Sequence, residues 1–190
     1  MRDGHNVTTR LVSAQELVTG LLKEVTLDSG ILPEGTLWWR QTRTGTEVAL
    51  WRAPRVWPVA IQLEAFKPPE RLKLPLPGLV FVCRPGLPPL VYAAKHRPQG
   101  PEDMLYRAPL FNVDAEGRSC AGTHHYPDAI GDIPESFFLS FFAPHVARAR
   151  ISHRYGIDLL RLWREIDGRK RYPIGDLVKF ARVAEIMGRR

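Results

Sequence analysis

Between residues 36 and 93 the chain is cut into five short runs of β-branched, aromatic and aliphatic residues, with proline or glycine in the gaps. The runs are Thr36-Leu37-Trp38-Trp39, Glu47-Val48-Ala49-Leu50-Trp51, Val59-Ala60-Ile61-Gln62-Leu63, Leu79-Val80-Phe81-Val82-Cys83 and Leu90-Val91-Tyr92-Ala93. Their residue types suit a pleated, half-buried surface, and the intervening prolines and glycines mark turns. The pattern predicts an antiparallel meander. Pro85-Gly86 makes the last two runs a hairpin. The continuous apolar stretch from Val80 to Cys83 predicts a central strand covered on both faces, with Cys83 in the core.

Helical signals flank the strands. Ser13-Ala14-Gln15-Glu16 has capping-box spacing, and Leu17, Leu21 and Leu22 follow on one face, so a helix is expected over residues 14–24. Asp132-Ile133-Pro134-Glu135 reads as a helix start leading into Phe137-Phe138-Leu139-Ser140-Phe141-Phe142, whose four phenylalanines need a large apolar surface. Leu159, Leu162, Trp163 and Ile166 recur at helical spacing and Gly168 stops that helix. Asp176 is expected to cap a last helix running through Met187. The order of elements predicts an α+β fold with helices packed on one face of an antiparallel sheet. A chain of 190 residues with 44% hydrophobic content is expected to form one domain over 1–190, with a core at about 14–150 and a C-terminal helical extension at about 151–190.

No apolar run approaches the roughly 20 residues of a membrane span, and MRDGHNVTTR lacks the apolar segment of a secretory signal, so a cytoplasmic location is expected. Two cysteines, Cys83 and Cys120, make no disulfide scaffold and should both be free thiols. The net charge of +7 favours an acidic partner. Its densest basic run, Gly168-Arg169-Lys170-Arg171, has no interleaved aromatic residues to stack bases; it reads as a solvated loop, and nucleic acid is not expected.

From Pro98 to Gly131 there is no long periodic segment, and a stretch above about 12–15 residues without structure of its own in a compact domain is usually functional or mobile. Cys120 lies there, with Arg118, Ser119, His124 and His125 close in sequence, a setting that can support a thiolate. Asn112 precedes Cys120 by eight positions, with Asp114, Glu116 and Gly117 forming a turn between them.

This spacing resembles the active-site segment of the ubiquitin-conjugating (UBC) family, where an Asn closes a His-Pro-Asn tripeptide and the catalytic Cys follows eight residues later. ILPEGTLWW, GLVFVC, LVYAAK, LYRAPLFNVDAEGRSCAG, the phenylalanine-rich helix start and GRKRYPIGDL resemble its bacterial branch, prokaryotic family D or PRTRC system protein B, over about Ile31 to Leu177. The resemblance implies a UBC-like fold and a transferase without cofactor or metal. Cys120 would accept a ubiquitin-like protein as a thioester and pass it to an amine or thiol, and Asn112 would stabilise the oxyanion or hold the loop. Leu110 and Phe111 stand where the family keeps His and Pro. A histidine C-terminal to the cysteine is noted in bacterial branches; His124 and His125 both qualify. Implied partners are a ubiquitin-like protein, a ThiF-type adenylating enzyme met by Arg10 and Lys23 of the first helix, and a JAB-type metalloprotease. Antiphage defence, plasmid maintenance and protein tagging would all use this same chemistry, and the sequence does not choose among them.

Other chemistries remain open on the residues alone. A cysteine hydrolase would pair Cys120 with His96, His145 or His153, but no such family signature surrounds the cysteine. A zinc site on Cys120, His124 and His125 lacks a second CxxC-type pair. The main alternative is a catalytically silent UBC-fold adaptor or nucleic-acid-binding component of a plasmid-type gene cluster, which would make Cys120 incidental.

Overall fold

A computed structural model describes residues 11–24, 29–64, 66–120, 122–144 and 149–188. The chain divides into two compact units, Met1–Leu32 and Pro33–Arg190. In the first, helix α1 spans Ala14–Glu24 and starts with the expected capping box. The Ser13 backbone N–H donates to Glu16 Oε2 at 2.9 Å, and the Glu16 N–H donates back to Ser13 Oγ at 3.1 Å. The Ser13 N–H, and then the Ser13 hydroxyl donating to the same carboxylate oxygen at 3.1 Å, hold the Glu16 carboxyl below the usual glutamate range. Arg10 and the side chains of Leu21, Leu22 and Lys23 lie outside the described residues.

Among the described residues the second unit holds nine strands: β1 (Thr36–Thr42), β2 (Gly45–Arg52), β3 (Arg55–Ile61), β4 (Glu70–Leu76), β5 (Gly78–Cys83), β6 (Leu90–Ala94), β7 (Met104–Arg107), β8 (Phe141–Phe142) and β9 (Lys179–Arg182). Six form one antiparallel sheet in the order β1-β2-β5-β6-β7-β9; the other three form a second sheet, β4-β3-β8. β5 sits inside the large sheet and every one of its residues is buried, so the apolar run ending in Cys83 is the central strand its composition predicts. Burial pushes the Cys83 thiol up to about 12, with the nearby charge of Arg52 working against it.

The run at 59–63 does not continue the first meander. It belongs to β3, which pairs antiparallel with β4 and parallel with β8 in the second sheet. The chain passes from the second sheet back to the first at Pro77, which stands between β4 and β5. The side chains then sort by the two-residue period of a strand. Leu50, Leu79, Phe81, Val91 and Ala93 share one core with Trp57, Ile61 and Leu74 of the small sheet, while Ala49, Val80, Val82 and Tyr92 form a second core on the opposite face.

Helix α2 (Ile133–Leu139) packs on β3 and α3 (Leu159–Ile166) packs on β4. Pro134 stands in the first turn of α2, where its missing N–H costs nothing. The Asp158 carboxylate accepts the Arg161 N–H at 3.1 Å to cap α3, and Gly168 ends it at φ +70°. Leu159, Leu162, Trp163 and Ile166 are all buried, as their spacing predicts. Phe137, Phe138 and Phe142 fill the core, with Phe138 stacked on Trp57 at 3.8 Å between ring centroids.

Two helical expectations are corrected. The phenylalanine run leaves the helix at Ser140, whose ψ of 156° is extended, and Phe141–Phe142 become β8 with one ring exposed and one buried. Asp176 caps no long helix: its carboxylate accepts the Arg154 N–H at 2.7 Å, the chain continues as β9, and the final helix α4 covers only Val183–Gly188. Val183 and Ile186 of α4 join the second core.

Candidate active site

The segment from Leu110 to Cys120 is a hairpin built on a buried base. Leu110, Phe111, Asn112 and Val113 are all under 7% exposed. Phe111 meets Trp163 edge-on at 4.7 Å, and the Trp163 Nε1–H donates to the Pro109 carbonyl at 2.8 Å, so α3 holds the entry to the hairpin by packing and by a buried hydrogen bond.

Asn112 then clamps the hairpin to the chain that follows α2. Its Nδ2 donates to the Phe141 carbonyl at 2.8 Å, and its Oδ1 accepts the Ala143 N–H at 3.1 Å. Its own carbonyl accepts the Cys120 N–H at 2.8 Å. The same residue therefore fixes both the next β segment and the backbone of the cysteine.

The turn between them is equally determined. Asp114 Oδ1 accepts the N–H groups of Glu116 and Arg118 at 2.9 and 2.8 Å, which closes the turn from within. Gly117 adopts φ +88°, and a Cβ there would lie 2.3 Å from a ring carbon of Tyr92. Glycine is required on both counts. The returning arm bridges to the start of β6: Leu90 pairs with Arg118, Val91 N–H donates to the Gly117 carbonyl at 2.7 Å, and Ser119 N–H donates to the Pro89 carbonyl at 3.2 Å.

Cys120 emerges from this arm exposed, in contrast to Cys83. Behind it lies Tyr126, whose buried hydroxyl is pushed up to about 12, chiefly by burial and then by the nearby thiols of Cys120 and Cys83; Ser119 works in the other direction. It stays a neutral phenol at any ordinary pH. The two histidines differ in setting. His124 is half-buried, its Nε2 is 2.9 Å from Ser136 Oγ on α2, and its ring stands edge-on to Tyr126 at 4.8 Å; His125 is exposed. Tyr126 and Ser136 were not among the expected site residues. Tyr126 is a single aromatic two positions from His124, and Ser136 is reached only once α2 packs beside the loop, so no sequence pattern announces either.

Among the described residues no hydrogen bond joins Cys120 to His96 or His153. His96 follows the far end of β6 from the Leu90–Arg118 bridge, His153 donates its backbone N–H to the Asp176 carbonyl, and His145 lies outside the described residues. Among the described residues no three His, Cys, Asp or Glu side chains are placed to hold a metal ion, and no helix is long and apolar enough to cross a membrane.

A mixed α+β chain with an antiparallel sheet, few helices and an exposed cysteine at the end of an Asn-anchored hairpin has the architecture of the ubiquitin-conjugating-enzyme (E2) fold. The chain belongs to prokaryotic E2 family D, whose sequence model matches residues 13–180. No curated protein and no solved structure matches it.

Proposed function

We propose that this E2-like protein is a thioester transferase that carries a ubiquitin-like protein on Cys120. The observation that carries the reading is the exposed thiol at the end of a hairpin whose base is buried and whose backbone is tied to Asn112. The Cys120 thiolate attacks the activated C-terminal carbonyl held by the adenylating enzyme, a C–S bond forms, and the activating group departs. An acceptor amine then attacks the thioester carbon, the C–N bond forms as the C–S bond breaks, and the amine proton passes to a base. A thioester is already activated, so positioning and an oxyanion donor matter more than a strong base.

Asn112 holds the loop with one amide hydrogen and has a second to give to the oxyanion beside Cys120. Between the two histidines, the hydrogen bond to Ser136 and the Tyr126 ring favour His124 as the oriented proton acceptor. The partners in this reading are a ubiquitin-like protein, a ThiF-type adenylating enzyme and a JAB-type metalloprotease.

The test is incubation with a ubiquitin-like protein, its adenylating enzyme and ATP. The expected product is an adduct that reductant removes; C120S converts it to a reductant-resistant ester cleaved by hydroxylamine, and C83A leaves it intact. An adduct that survives C120A refutes the assignment. No adduct with the native chain favours the silent adaptor instead.

A further inference from the structure

At the opposite end of β6 from the hairpin, the chain builds a cavity of about 380 Å³. Leu90, at one end of that strand, bridges to Arg118, while Lys95, just past the other end, lines the cavity; at about 3.3 Å per residue the two places are about 17 Å apart. The cavity's walls come from the β2–β3 turn, the β4–β5 junction, the end of β6 and the segment after α3.

We propose that this cavity is a second binding site, one that takes a small phosphate-bearing anion. Arg55, Lys95, Lys170 and Arg171 reach it from three separate parts of the chain, and no Asp or Glu lines it. The basic run after α3 is divided by the fold: Arg169 turns back to Glu165 at 3.1 Å, while Lys170 and Arg171 make no hydrogen bond or ion pair among the described residues and line the cavity. Arg55 is the one cavity cation with a carboxylate partner, Glu135 at 3.3 Å, and its guanidinium lies over the Trp57 ring at 3.4 Å.

Lys170 and Arg171, both without a partner among the described residues, stand with Arg55 and Lys95 around one concavity and raise its positive potential, which attracts a compact anion. A phosphate or diphosphate concentrates its charge in the smallest volume, and an arginine fork and lysine point charges are the groups that bind it. The remaining wall is largely apolar and stiff: Pro75, Leu76, Pro77 and Tyr172 line it and are buried. A preformed cavity of a few hundred Å³ with such a wall suits a nucleotide-sized molecule rather than an extended polymer. The site is independent of the chemistry proposed for Cys120.

The test is isothermal titration of the full chain at low ionic strength with inorganic pyrophosphate and with ADP. Both should bind with Kd below about 1 mM and weaken as salt is added. K170E/R171E, and separately K95E, should each weaken binding by about tenfold or more with an unchanged thermal midpoint, and C120A should bind like the native chain. The proposal is overturned if neither ligand binds at about 1 mM, if the charge reversals leave affinity within about twofold, or if only an acidic peptide or an oligonucleotide binds.

Discussion

Asn112→Ala is the substitution that most directly probes why the hairpin stands where it does. The side chain makes two hydrogen bonds to backbone groups, the Phe141 carbonyl at 2.8 Å and the Ala143 N–H at 3.1 Å, and its residue is only 6% exposed. Truncation removes both and leaves two backbone groups to find other partners. A lost hydrogen bond costs about 1 kcal/mol, and a stranded buried polar group about 1–3 kcal/mol. Phe141 is 62% exposed, so water can reach part of this region and the lower half of that range applies. The expected loss is about 2–4 kcal/mol, or a fall of about 1–2 M in the urea midpoint at an m-value of about 2 kcal/mol/M. Tryptophan fluorescence reports the transition. N112D separates the two bonds: the new carboxylate keeps an acceptor for Ala143 but turns a charge on the Phe141 carbonyl. Its protonated form can donate to that carbonyl, so folding raises the carboxyl's pKa and the variant regains stability as pH falls through that raised value. A loss under about 0.5 kcal/mol for N112A refutes the clamp, as does a destabilisation by N112D that is independent of pH.

Gly117→Ala combines a positive φ with a clash against the Tyr92 ring and should cost about 2 kcal/mol or more by urea denaturation; a loss below about 0.5 kcal/mol would show that the ring gives way freely. Burial works against ionisation of Glu135, but its hydrogen bonds to Arg52 at 2.9 and 3.0 Å, the Arg52 charge and then Arg55 hold its carboxyl below the ordinary value of 4.5. The folded chain therefore binds the proton more weakly than the unfolded one, so this contribution is present in full above a pH of about 4.5 and is lost as pH falls through the folded value. E135Q should lower the thermal midpoint at neutral pH and flatten its decline in acid; a decline identical to that of the native chain contradicts this.

Local physics was legible in the sequence wherever a few neighbouring residues decide the outcome. The Ser13–Glu16 cap, the buried face of α3, the central position of Cys83 and the turn at Gly117 each follow from spacings of a few residues. The second sheet was not legible, because whether β3 pairs with β2 or with β4 is settled by the whole chain's packing, and the polar alternation of Glu70–Leu76 gives only a weak strand signal. β9 was hidden in the same way, since Lys179–Arg182 buries only Ala181 and reads equally well as the start of a helix. At the site, Asn112 and Cys120 were visible as a spaced pair. The Phe141 and Ala143 partners of Asn112 lie 29 and 31 residues away and became visible only with the fold.

The substitution of Leu110 and Phe111 for His and Pro changes how the loop is made rigid, not whether it is. A polar tripeptide fixes its backbone by side-chain hydrogen bonds and a restricted φ. Here two apolar side chains, 0% and 3% exposed, achieve it by burial, at about 1.5–3 kcal/mol each relative to leaving them in water. The burial has a geometric consequence. Phe111 rests on Trp163, Trp163 holds Pro109, and Asn112 is left at the core boundary with its amide facing β8, which pairs with β3 in parallel. Eight residues later the hairpin returns to the same point, where the Asn112 carbonyl receives the Cys120 N–H. The thiol is thus presented to solvent from a backbone that the core fixes on one side and the Gly117 turn fixes on the other, so less of the loop remains to be ordered when a partner meets it.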